Sequence, residues 1–253
     1  MIKIFAIILL LIISFILIYN RFKQKKFKGG NNIPKVIYQT YISKDRIPKK
    51  VYENINKYGD GYKHIIYDDN ECKKFLEENY EPKVLEKYLK LKRGAHRADL
   101  FRYCLLYKYG GIYLDIKTEL IKPLNEIFTS NYLYSVFSLN GKKIYQGIIA
   151  SPPNNPIFET LIDRVINTRD NIINSDYHIF TEQFYNICQE SCKKVLIQGL
   201  NLNRKSNINM YFFQEINLDK KECNNLLDRY GLCCYVYDKK MKIIKTRYED
   251  YPW

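Results

Sequence analysis

The stretch Ala98-Asp99-Leu100-Phe101-Arg102-Tyr103-Cys104-Leu105-Leu106-Tyr107-Lys108-Tyr109-Gly110-Gly111-Ile112-Tyr113-Leu114-Asp115 contains a helix, a turn and a strand in succession. Ala95, Leu100, Cys104 and Leu105 are among the apolar positions that predict a helix over residues 95–109. Gly110-Gly111 ends it, because glycine readily takes the backbone conformation that closes a helix. Ile112 to Asp115 then reads as a short buried strand with a polar tip.

The same alternation extends both ways. Ile33-Pro34-Lys35-Val36-Ile37-Tyr38-Gln39-Thr40 begins with a turn and becomes β-branched, which predicts a strand. A helix is expected over 48–58, opened by Pro48, and a second strand at Tyr62–Tyr67, stopped by Asp68-Asp69-Asn70. Asn70 is a candidate cap for a helix through Tyr80, and Pro82 starts another. Further on, Tyr132–Leu139 and Gly147–Ala150 read as strands, Ile157–Asn167 and residues 179–190 as helices, and Tyr235–Ile244 as a hairpin. Strands alternating with helices predict one α/β domain, residues 33–253, with a mainly parallel sheet flanked by helices. Such sheets bind ligands at the carboxyl ends of their strands.

Residues 1–20 read as a single transmembrane anchor: from Ile4 to Tyr19 only Ser14 is polar. Residues 21–32 read as a basic linker ending in Gly29-Gly30-Asn31-Asn32. The heavier positive flank follows the apolar run, which places the domain on the cytoplasmic side by the positive-inside rule. A lumenal domain with a short cytosolic amino terminus is the competing layout, and the side of the membrane stays open.

The net charge is +14, of which residues 1–30 carry +6. The remaining basic residues are interspersed with acids such as Glu77, Glu78 and Glu81. That distribution argues against nucleic acid as a partner and fits a modestly basic cleft for a diphosphate. Seven cysteines without a CxxC pair, and His64, His96 and His178 without ligand spacing, give no zinc pattern. Cys188 and Cys192 fall one helical turn apart, as on a core face. No phosphate loop and no dinucleotide glycine fingerprint occurs.

Asp115, at the end of a strand, is placed to accept hydrogen bonds from ribose or sugar hydroxyls, or to bind a divalent cation that neutralises a departing diphosphate. Asp99 and Arg102, at i and i+3, share one face of their helix.

The segments Ala98–Tyr103 and Leu106–Asp115, with Ile33–Thr40, Tyr67-Asp68-Asp69 and Ile148–Pro156, together resemble glycosyltransferase family 32 over roughly residues 33–160. This is the family of sugar-binding regions containing a DXD motif, which includes Golgi mannosyltransferases. The resemblance implies a GT-A-like fold and transfer of a sugar, with retention, from a UDP- or GDP-sugar to a hydroxyl on a glycan, protein or lipid. It implies that Asp99, Arg102 and Asp115 hold the donor sugar. Gln39, Thr40, Tyr113 and Lys117 are then candidates for the nucleotide. Lys117 stands where the motif has its second acid, so metal dependence is in question: Asp115 is a candidate ligand for Mn or Mg. Glu119 would supply a replacement carboxylate if the strand continued. Trp253 is a candidate aromatic near the donor. Two competing readings are a catalytically inactive, membrane-tethered sugar-binding protein and a basic membrane-associated nucleic-acid binder.

Overall fold

The computed structural model describes residues 32–139, 141–218 and 233–251. The expected anchor and most of the linker, with Trp253, lie outside them. Among the described residues no helix is long and apolar enough to cross a membrane.

Among the described residues ten strands form one sheet: β1 (Val36–Thr40), β2 (Lys63–Tyr67), β3 (Gly111–Leu114), β4 (Glu119–Leu120), β5 (Leu133–Phe137), β6 (Ile144–Ser151), β7 (Gly199–Asn201), β8 (Met210–Asn217), β9 (Cys234–Asp238) and β10 (Met241–Lys245). Their order is β2-β1-β3-β6-β5-β8-β9-β10-β4, with β7 also paired to β8. The helices are α1 (Lys49–Tyr58), α2 (Asp69–Asn79), α3 (Pro82–Lys90), α4 (Gly94–Tyr109), α5 (Leu124–Ile127), α6 (Pro156–Asn167), α7 (Asp170–Ser175) and α8 (Ile179–Cys192).

The architecture is α/β, but the sheet is mixed rather than mainly parallel. β1 pairs in parallel with β2 and β3, and β5 with β8; the other pairings are antiparallel. Short connections account for two of these: β5 and β6 are joined by six residues, and β9 and β10 by two, too few for a parallel crossover. Alternation of strands and helices along the chain does not record strand direction.

Successive strand residues feed two cores. Tyr38, Tyr113, Ile149 and Phe212 face the core beneath α2, α3, α4, α6 and α8. Ile37, Ile112, Ile148 and Phe213 face the core that takes in Ile55 of α1 and Leu124 of α5. With both faces covered, these strands are apolar almost throughout rather than alternating.

The helix starts and stops follow local chemistry. Asp68, not Asn70, caps α2: its Oδ1 accepts from the amides of Asn70 and Glu71 at 2.9 Å each, and Glu71 Oε2 accepts from the Asp68 amide at 2.9 Å. Gly110 and Gly111 have φ of +64° and +103°. A Cβ on Gly110 would lie 2.6 Å from the Pro153 nitrogen, and one on Gly111 2.8 Å from the Tyr38 ring. Only glycine makes this turn, which delivers β3 into the centre of the sheet directly after α4.

α4 is buried on every side from Asp99 to Leu106. Leu100, Phe101, Tyr103 and Leu105 have no exposed surface, and each such side chain contributes about 1.5–3 kcal/mol. Two ionic side chains, Asp99 and Arg102, share that interior. A buried ion pair of this kind adds little net stability, because desolvation offsets the attraction.

Candidate functional site

The carboxyl ends of β1 and β3 bring Thr40 and Asp115 together, and antiparallel β6 adds its amino-terminal end beside them. Leu114 pairs with Ile148, and the Asp115 amide donates to the Gly147 carbonyl at 2.8 Å. Above these ends opens a cavity of about 580 Å³. Thr40, Asp99, Arg102, Tyr113, Asp115, Lys117 and Tyr145 are in its lining, with Tyr177 and His178 just before α8 on another wall.

Arg102 is the hub. Its Nε donates to the Ala98 carbonyl at 3.1 Å, and Nη1 donates to the Gln146 carbonyl. Nη1 lies 3.3 Å from Asp99 Oδ1 and Nη2 3.2 Å from Asp115 Oδ1. Its guanidinium carbon sits 4.2 Å from the centre of the Tyr113 ring, a cation–π contact. Tyr113, Asp115 and Asp99 hold the guanidinium charged, against the effect of burial. Burial pushes the Asp99 carboxyl up to about 7; Arg102 opposes that shift and Asp115 adds to it.

Asp115 faces three partners through its side chain. Oδ1 meets Arg102; Oδ2 lies 3.7 Å from Lys117 Nζ and accepts from the Tyr145 hydroxyl at 3.4 Å. The Tyr145 hydroxyl is held protonated by burial and then by the Asp115 charge. Gly147 makes room: a Cβ there would lie 2.6 Å from Asp115 Oδ2.

The structure gathers Asp99, Arg102, Asp115, Lys117, Tyr113 and Thr40 at one cavity. The Tyr113 and Thr40 hydroxyls bond each other at 2.7 Å. Gln39 does not line the cavity. Its amide nitrogen donates to the Asp115 carbonyl at 3.3 Å and its oxygen meets His64 Nε2 at 2.8 Å, so both polar ends are spent inside the sheet. Glu119 is also elsewhere. The chain turns after Asp115, with the Thr118 amide on the Asp115 carbonyl at 2.9 Å, so the strand parity assumed for Glu119 is broken. Glu119 instead pairs across β10 and lies 3.9 Å from Lys245.

Tyr145, Gln146 and Gly147 escaped sequence reasoning. The only signal was the predicted strand beginning at Gly147, and nothing in the sequence said that strand runs antiparallel beside Asp115. His96 also lines the cavity. It is buried rather than solvated, with its ring 4.9 Å from Phe180 and Nε2 3.2 Å from the Tyr177 carbonyl.

The donor set does not fit a divalent cation. Both Asp115 oxygens face cationic side chains, and Asp99 is tied to Arg102. Among the described residues no group of three His, Cys, Asp or Glu side chains is placed to hold a metal. Arg102 and Lys117 supply the positive charge beside Asp115.

Residues 46–134 match the family described as glycosyltransferase sugar-binding region containing DXD motif. An uncharacterized glycosyltransferase of Acanthamoeba polyphaga mimivirus is 33% identical over 152 residues, 56% of this chain and 61% of that protein. An initiation-specific alpha-1,6-mannosyltransferase of Candida albicans is 32% identical over 137 residues, 51% of this chain and 35% of that protein. A mannosyl phosphorylinositol ceramide synthase of Saccharomyces cerevisiae is 32% identical over 129 residues, 50% of this chain and 33% of that protein. The chain thus spans less than two thirds of the relatives it matches. Among solved structures, the PaToxG glycosyltransferase covers 70% of this chain and 77% of its own at 18% identity and a TM-score of 0.47, a likeness too loose to bear on the fold.

Proposed function

We propose that the chain, whose residues 46–134 match the glycosyltransferase sugar-binding family, moves a sugar from a nucleoside-diphosphate donor to an acceptor hydroxyl, within a GT-A-like domain. One observation carries this reading: Asp99, Arg102 and Asp115 converge on a cavity at the carboxyl ends of parallel strands. Two relatives are named for mannosyl transfer, which makes a mannosyl donor the first to test, with a glycan or lipid acceptor.

In this reading Arg102, pinned by two main-chain carbonyls, holds the Asp99 and Asp115 carboxylates at fixed spacing for sugar and ribose hydroxyls. Lys117 faces the diphosphate and offsets the charge that builds up on it as the glycosidic bond breaks. Thr40 and Tyr113 line the nucleotide side. Retention at the anomeric carbon belongs to the same proposal. Single-pass anchoring through residues 4–19 remains part of it as well.

The test is a panel of UDP- and GDP-sugars given to the detergent-solubilised full chain, with product configuration read by NMR. Transfer or hydrolysis of one donor, with retention, is the expected result. No turnover of any donor, with sugar still bound, would favour an inactive sugar-binding protein.

A further inference from the structure

Outside the cavity, the segment from Lys193 to Lys205 stands out. Between Ser191 and Met210 there is no acidic residue, while Lys193, Lys194, Arg204 and Lys205 are all present and exposed. The Arg204 amide donates to the Ser191 carbonyl at 2.9 Å, which closes the segment into a loop and brings its two basic pairs together. Among the described residues, none of the four pairs with a carboxylate.

Between the basic pairs the loop exposes apolar side chains. Val195, Ile197, Leu200 and Leu202 are 67, 55, 42 and 55% exposed. Asn201 turns inward and is fully buried, its amide nitrogen donating to the Ile197 carbonyl at 2.7 Å, so Leu200 and Leu202 share the outward side. Polynucleotide recognition explains the cations but not four exposed aliphatic residues. Cations beside aliphatic residues are the chemistry of an anionic lipid surface.

The position of the loop favours the same partner. Three hydrogen-bond links join it to the start of the described chain. Asn131 Nδ2 donates to Asn32 Oδ1 at 2.8 Å, the Leu133 amide to the Asn209 carbonyl at 2.8 Å, and the Asn203 amide to Asn209 Oδ1 at 3.1 Å. Asn32 follows the basic linker and the apolar run at residues 4–19. The loop therefore lies at the end of the sheet where the chain arrives from that run. Thr40 and Asp115 are at the opposite end.

We propose that this loop is a second membrane contact. Val195, Ile197, Leu200 and Leu202 enter the boundary between headgroups and acyl chains, and the four cations bind anionic headgroups. Together with the apolar run, it holds the domain upright with its cavity facing away from the bilayer. This inference does not depend on the sugar-transfer reading.

The test places the full chain in nanodiscs containing phosphatidylserine and shallow spin-labelled lipid. A Leu200→Trp, Trp253→Phe variant should show blue-shifted emission and strong quenching. An Ile42→Trp, Trp253→Phe control, at the cavity end, should show neither. Reversing the four charges (Lys193→Glu, Lys194→Glu, Arg204→Glu, Lys205→Glu) in the first variant should remove both effects. Should these variants fail to fold, hydrogen exchange on the unaltered chain decides. Segment 195–202 should exchange several-fold more slowly in anionic than in neutral nanodiscs. Equal quenching at positions 200 and 42, or equal exchange in the two bilayers, would overturn the proposal, as would protection that follows protein concentration instead of lipid charge.

Discussion

Arg102 Nη2 lies 3.2 Å from Asp115 Oδ1, joining the middle of a buried helix to the tip of the strand that follows it. Both residues sit on either side of the Gly110-Gly111 turn, so a short stretch of sequence builds both halves of the contact. Arg102 is 3% exposed, and its guanidinium is set by carbonyls at Ala98 and Gln146. Its geometry is therefore fixed before any ligand arrives.

Arg102→Lys should lower kcat/KM by roughly 100-fold or more, because a single ammonium cannot reproduce a planar fork that meets two carboxylates and two carbonyls. Arg102→Met removes the cation altogether and leaves two carboxylates facing each other. It should cost about 3–5 kcal/mol of stability, measured by denaturant unfolding. An unaltered kcat/KM in the lysine variant would refute the clamp role.

Asp99 gives a pH signature. Its carboxyl is pushed up to about 7, chiefly by burial. If the carboxylate form accepts sugar hydroxyls, turnover should rise with pH through about 7 and then level. Asp99→Asn should abolish that limb. Stability runs the other way. The folded-state value lies above the unfolded one, so the contribution is fully present below about pH 4 and is lost as pH rises through about 7. Melting temperature should therefore fall in the wild type relative to Asp99→Asn between about pH 4 and 7.

Gly147→Ala should abolish most activity while leaving the fold intact. A Cβ would collide with the Tyr145 hydroxyl oxygen and lie 2.6 Å from Asp115 Oδ2, so the contact between Tyr145 and Asp115 must shift to admit it. A shift of that kind costs roughly 100-fold in turnover, and strain costs about 1–3 kcal/mol. Wild-type kinetics in this variant would mean that Asp115 is not held where its function requires.

Much of this was legible in the sequence because punctuation is local. Pro48, Pro82 and Gly110-Gly111 announce where α1, α3 and α4 start or stop, and the i, i+3 spacing puts Asp99 and Arg102 on one face. The cap of α2 was misplaced although Asp68 and Glu71 have the capping-box spacing. What was not legible depends on pairing. Whether Gln39 faces a ligand or the sheet interior is decided by partners such as His64 on β2, which bonds its side-chain oxygen. Glu119 depended on a strand continuing past Asp115, where the chain turns instead. Tyr145 and Gly147 join the site only because β6 runs antiparallel to β3, a direction that apolar patterning does not carry.

Lys117 is the residue on which the mechanism stands apart from a two-acid motif. Its Nζ is 3.7 Å from Asp115 Oδ2, and among the described residues no three His, Cys, Asp or Glu side chains are grouped to hold a metal. The direct measurement is donor turnover by the full chain in excess chelator and in manganese, beside Lys117→Asp. The wild type should turn over the donor equally in both, and Lys117→Asp should depend on manganese. Wild-type activity that vanishes in chelator and returns with manganese would contradict the account.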